Sequence, residues 1–267
     1  MPEPLTEHAI ALSISESDDM AALGLAKEHL DDAMAEIARH LLALGARLLY
    51  GGDLRPGGFT EVLFELVARY RRDAGEADVR PGVTNFVAWP VHLGMTAEDI
   101  AALSGGLEGA AALVLLDLAG EPITMEQRRA LATHGASEEE WAAGLSAMRR
   151  SVTGLCHGRV VLGGRVQGYK GRMPGVAEEA LLALRESRPL YVLGGFGGCA
   201  RDIAGCLGLC PGPRRRAWPG QDEFARAGQD LRNGLTLEEN EALAGTPHVD
   251  QAMALILRGL LRLTQRP

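Results

Sequence analysis

Glycine and arginine recur at three points of this 267-residue chain with the types and spacing needed to hold an anion. The runs GGDLRPGGFTE (51–61), GGRVQGYKGRMPG (163–175) and GGFGGCARD (194–202) each follow an apolar stretch and open a helical one. Glycine lets a phosphate approach the backbone closely, and the free N–H groups of a helix start point at it with the helix dipole behind them. The candidate backbone contacts are Gly51, Gly52, Gly57, Gly58, Gly163, Gly164, Gly194, Gly195, Gly197 and Gly198, with Phe196 inside the last turn. Arg165, Lys170, Arg172 and Arg201 add four cations around two of these turns, and the planar fork of arginine takes two phosphate oxygens at once. No Gly-Lys-Ser or Gly-Lys-Thr follows any of the three, so they are not the Walker loop of a kinase or GTPase.

Several neighbours could complete such a site, each with a plainer alternative. Asp53 follows a strand-like run and Thr60 and Glu61 enter the next helix. An acid there suits a ribose hydroxyl, while Asp53 as a loop cap is an equal reading. Ser13, Ser15 and Ser17 either donate to phosphate or cap the next helix. Glu178 and Glu179 supply favourable charge to a helix start, or Glu178 accepts from a ribose hydroxyl. Arg201 and Asp202 could form a surface pair, Asp117 a turn, and Arg214-Arg215-Arg216 a solvated loop. Cys156, Cys199, Cys206 and Cys210 form no C-x-x-C pair and read as buried free thiols; no metal and no required cofactor are expected.

The elements that position these residues alternate. Strands are expected at 9–15, 46–52, 83–92 (ending before Pro90), 111–117, 159–164 and 189–195, with helices at 25–45, 59–72, 175–187 and 249–263. Residues 118–155 read as an inserted helical hairpin opened by two capping boxes, Thr124 with Gln127 and Ser137 with Glu140. The βαβ rhythm predicts an α/β class fold with a Rossmann-like parallel sheet, in one nucleotide-binding domain over 1–267 whose C-terminal helices occupy 218–267. A net charge of −8 and a pI near 5.4 argue against nucleic-acid binding. The acidic N-terminus and the lack of a long apolar stretch point to a cytoplasmic protein without a membrane segment. Leu255, Ile256, Leu260 and Leu261 make the last helix apolar enough to dock on the sheet or on a second copy, the latter implying a homodimer or higher assembly.

The runs YGGDLRPGGFTEVL, LGGRVQGYKGRMPGVAEEAL and YVLGGFGGCARDIA resemble the SLOG superfamily over residues 9–263. That group includes the LOG-type nucleotide phosphoribohydrolases, the ligand-binding region of TRPM channels and domains associated with sirtuin and TIR proteins in bacterial defence. The resemblance is closest to the sirtuin- and TIR-associated branch, which implies a sensor of an NAD-derived nucleotide, ADP-ribose or cyclic ADP-ribose, coupled to a TIR or other effector protein. The LOG signature P-G-G-x-G-T-x-x-E is altered: Gly198 stands at the threonine position, Arg201 at the glutamate position, and Tyr169 where the catalytic arginine would fall. An arginine in place of the carboxylate repels the positive charge that develops in glycosidic cleavage and suits a diphosphate. The rival expectation is an N-glycosidase using Glu61, Glu178 or Asp202; a third is a regulatory subunit whose helix 249–263 meets a partner.

Overall fold

The computed structural model describes residues 3–52, 54–55, 57–74, 82–107, 111–210 and 217–265. In chain order the elements are β1 (Ala9–Ser15), α1 (Lys27–Ala43), β2 (Arg47–Tyr50), α2 (Phe59–Ala74), β3 (Val83–Val87), α3 (Trp89–Leu93), α4 (Ala97–Gly105), β4 (Ala111–Leu116) and β5 (Pro122–Ile123). There follow α5 (Met125–Arg129), α6 (Glu138–Leu155), β6 (Gly158–Gly163), α7 (Gly175–Arg185), β7 (Leu190–Leu193), α8 (Gly198–Cys206), α9 (Gln221–Ala227), α10 (Leu237–Gly245) and α11 (Val249–Thr264). The strands form one sheet in the order β5-β4-β3-β2-β1-β6-β7. All pairs are parallel except β4 with β5. This is an α/β Rossmann-like fold.

Both faces of the sheet are covered, which is why β1 and β6 read as near-continuous apolar runs. One face packs Ile10, Leu12, Leu48 and Leu162 against α1, α2 and α11. On the other, Ala9, Ala11 and Leu49 meet Met148 and Val152 of α6, while Val161 and Val192 meet α7 and α8. The chain winds outward from β1 through β2, β3 and β4, then returns to place β6 on the other side of β1. That reversal makes the carboxyl ends of β1 and β6 the switch point of the sheet, where open α/β folds leave a crevice.

Three expectations change in detail. The third strand stops at Val87, and Pro90 falls in the first turn of α3, where its missing N–H is no loss. The 118–155 insertion is a helical pair preceded by a short antiparallel strand, β5. Asp117 is the cause: its Oδ1 accepts from the N–H groups of Ala119 and Glu121 at 2.9 Å each and turns the chain back. In α11, Leu255, Ile256 and Leu260 are buried in the core shared with α1 and Leu261 is half-buried, so the helix's apolar content is taken up by its own fold and carries no argument for a second copy. Among the described residues no helix is long and apolar enough to cross a membrane.

The C-terminal helices are tied together by one carboxylate. Glu239 completes a capping box with Thr236 and receives Arg258 at 2.9 Å and Arg262 at 2.6 Å from α11. The Arg262 hydrogen bond, then those from the Thr236 N–H and Arg258, lower its pKa from 4.5 to about 2. A carboxylate depressed in the folded state stabilises above its unfolded pKa and loses that contribution as pH falls through the folded value. Glu239→Gln is therefore expected to cost about 1 kcal/mol at pH 7, screened by solvent, with the difference fading between pH 4.5 and 2; urea melts of both proteins across that range check it.

Candidate functional site

At the switch point, the ends of β1, β6 and β7 are joined through glycine backbone. The Gly164 N–H donates to the Ser15 carbonyl at 2.7 Å, and the Cys199 N–H donates to the Gly164 carbonyl at 2.8 Å. Gly163 and Gly164 have φ of 61° and 101°, and Gly197 and Gly198 have 76° and 62°. A Cβ on Gly198 would overlap the Gly164 carbonyl oxygen and lie 2.9 Å from the Gly163 carbonyl carbon. Here glycine is needed for both conformation and close approach. The helix-start donors are engaged: Gly197 N–H by the Gly194 carbonyl at 3.0 Å, and Gly198 N–H by the Asp19 carboxylate at 2.8 Å. An anion at these donors would have to displace the Asp19 carboxylate. Ser17, beside Gly198, has a buried hydroxyl without a partner.

The turn after β2 is built separately. The Gly52 N–H donates to Asn85 Oδ1 at 3.2 Å, and Tyr50 and the buried Thr60 fill the space beside Gly52. Asn85 is fully buried and its Nδ2 has no partner. Gly57 and Gly58 form an open turn in which the Gly57 N–H donates to Glu61 at 2.5 Å and the Gly58 N–H to the Arg55 carbonyl at 3.1 Å. Asp53 and Arg214–Arg216 lie outside the described residues.

Helix α6 connects the two regions. Its C-terminus leads into β6 at the amino edge of the sheet, so its first turns stand at the carboxyl ends of the strands. Met148 lies against Gly51, while Leu145 and Arg149 lie against Gly171 and Arg149 also against Gly175. Two turns earlier, the Trp141 ring carries the Lys170 ammonium 3.6 Å from its centroid. Positions 141, 145, 148 and 149 share one helix face, which forms a wall beside the loop 164–174. Arg149 is anchored by Glu178, which also receives the Ser146 hydroxyl, and by Glu179 at 3.7 Å. Arg159, 1% exposed, bonds Ser13 at 2.7 Å, Thr153 at 3.1 Å and Glu179 at 3.2 Å.

The four cations thus differ in what they are free to do. Arg165 and Arg172 are exposed on the loop leaving β6 and have no side-chain partner among the described residues. Lys170 is held on Trp141. Arg201 makes no side-chain hydrogen bond or ion pair among the described residues but sits near Gly194, whereas Cys199, about 200° round the helix, faces Gly164. Arg201 is therefore not brought to the β6 loop. Gly194 and Gly195 turn toward Ala244 and Thr246, where a Cβ would meet backbone, and Phe196 is buried in the core.

The carboxylates and thiols are equally committed. Glu178 belongs to the Arg149 pair, Asp202 accepts from Trp218 Nε1 at 3.2 Å, and Glu61 caps its own turn. Burial pushes the Cys199 thiol well above its ordinary pKa, with the Asp202 charge adding to it, so this thiol stays protonated beside Gly164. No group of His, Cys, Asp or Glu among the described residues could hold a metal ion. Sequence reasoning missed Asp19, Asn85, Trp141, Arg149 and Arg159. The acidic run ESDD after β1 was the available signal for Asp19, and nothing local marked the others.

The family model described as SLOG cluster2 matches residues 4–217, about four fifths of the chain. The chain belongs to the SLOG family. The matched region spans every strand, all three glycine turns and the wall of α6, while α9, α10 and α11 lie beyond it. No curated protein matches this SLOG sequence.

Proposed function

We propose that this SLOG protein binds an NAD-derived nucleotide of the ADP-ribose or cyclic ADP-ribose type at the carboxyl ends of β1, β2 and β6, as a sensor in bacterial immune signalling that acts on a TIR or other effector protein. The observation that carries the reading is the pair Arg165 and Arg172: two exposed guanidinium groups, without a side-chain partner among the described residues, on the loop at the switch point of an otherwise acidic chain. Such groups suit a diphosphate, each charged hydrogen bond being stronger than a neutral one. Glu61, Glu178 and Asp202 are engaged elsewhere, which favours binding over glycosidic cleavage. The sensing role and the effector come from the family resemblance.

ADP-ribose and cyclic ADP-ribose are expected to raise the melting temperature, and adenosine is not, because the free cations address phosphate. Ligand at about a hundred times its Kd contributes roughly 2.7 kcal/mol. Arg165→Ala and Arg172→Ala should each weaken binding by about 1.5–3 kcal/mol, the scale of a charged hydrogen bond, with melting of the free protein unchanged. An equal shift with adenosine, or unaltered affinity in both variants, overturns the proposal. Release of free base with steady turnover replaces it by the glycosidase reading.

A further inference from the structure

Trp141 has a placement that the phosphate site does not use. It stands on α6 about 10 Å beyond Met148 along the helix axis, taking 1.5 Å per residue, on the wall that faces Gly51 through Met148 and Gly171 through Leu145. The ring is half-buried, and among the described residues the charged group on it is Lys170, an exposed side chain of the same loop that carries Arg165 and Arg172. The other tryptophans are otherwise occupied: Trp218 is buried and donates to Asp202, and Trp89 donates to Glu140 and packs edge-on against His92.

We infer that Trp141 is the surface on which the ligand's base stacks, and that the base displaces Lys170 from the ring so that its ammonium turns to the phosphates. The inference rests on the nucleotide reading above and names the residue that reads the base. An exposed ammonium on an aromatic face is held more weakly than a nucleobase stacked on the same face, so the exchange is favourable. It also returns the third cation of the loop to the anion. Stacking accepts any base, so Trp141 separates nucleotides from sugar phosphates without choosing among bases.

Calorimetry with ADP-ribose and with inorganic pyrophosphate, which has no base, tests this on wild type, Trp141→Leu and Trp141→Phe. Leucine should weaken ADP-ribose by about tenfold or more, from the loss of base–aromatic stacking, and leave pyrophosphate within about twofold, while phenylalanine should recover most of the ADP-ribose affinity. Unaltered ADP-ribose binding in Trp141→Leu overturns the inference, and so does an equal loss for pyrophosphate, since the contact would then only hold the loop. Wild type that binds neither probe removes the nucleotide reading itself, a failure distinct from either. A cooperative melt of each variant, recorded alongside, separates loss of stacking from loss of fold, and the phenylalanine variant keeps the test decisive where leucine does not fold.

Discussion

Arg159→Leu is expected to destabilise the protein by about 3–5 kcal/mol, the range for breaking one partner out of a buried ion pair. The guanidinium is 1% exposed and holds Ser13, Thr153 and Glu179 together beneath the ends of β1 and β6. Leucine fills much of the volume but leaves the Glu179 carboxylate with Arg149 Nε, 3.7 Å away, as its remaining charged neighbour. The penalty is thus chiefly that of a carboxylate stranded away from water, and most of it should return in Arg159→Leu/Glu179→Leu, where neither charge remains. Guanidinium chloride unfolding of the two variants and the wild type measures both quantities. A single variant within about 1 kcal/mol of wild type would mean that water reaches Glu179, and the pair would then count as an exposed one.

That pair also marks where sequence reasoning stopped. In RVVLGG the strand period puts Arg159 on the same face as Val161, but alternation alone cannot say whether that face meets solvent or a partner helix. The partner, Glu179, looked like ordinary first-turn acid because the start of α7 suffices to explain it. The apolar strands were legible because sheets covered on both faces require continuous apolar runs. The caps at Thr124 and Ser137 were legible because the capping box is a local pattern whose geometry depends on four residues. β5 was not, since two residues held by the Asp117 turn and one neighbouring strand leave no periodicity. For the site, glycine positions were readable but their purposes were not. Gly163, Gly164 and Gly198 meet one another, whereas Gly194 and Gly195 meet Ala244 and Thr246, a distinction set by residues about fifty positions later in the chain.

Gly198→Ala should make that distinction measurable. The residue has φ of 62°, a region that costs an L side chain about 1–3 kcal/mol. Its new Cβ would also press on the Gly164 carbonyl oxygen and on Ser17, and because Gly163 and Gly164 are backbone the neighbour cannot rotate away. Overpacking of this kind typically costs a further 1–3 kcal/mol, so a total loss of about 2–6 kcal/mol is expected. Gly205→Ala on the same helix provides the control: no atom lies within 4 Å of its added Cβ and its φ is not left-handed. Alanine there relieves the unfolded-state entropy of glycine and should stabilise by up to about 1 kcal/mol. The left-handed φ alone makes the two signs opposite; a loss at Gly198 of more than about 3 kcal/mol, read from thermal melts against the Gly205 control, follows from backbone contact between the end of β6 and the start of α8. A loss confined to the roughly 1–3 kcal/mol of the φ cost would mean that the two turns stand apart, leaving room at the head of α8 for an anion beside Asp19 rather than in its place.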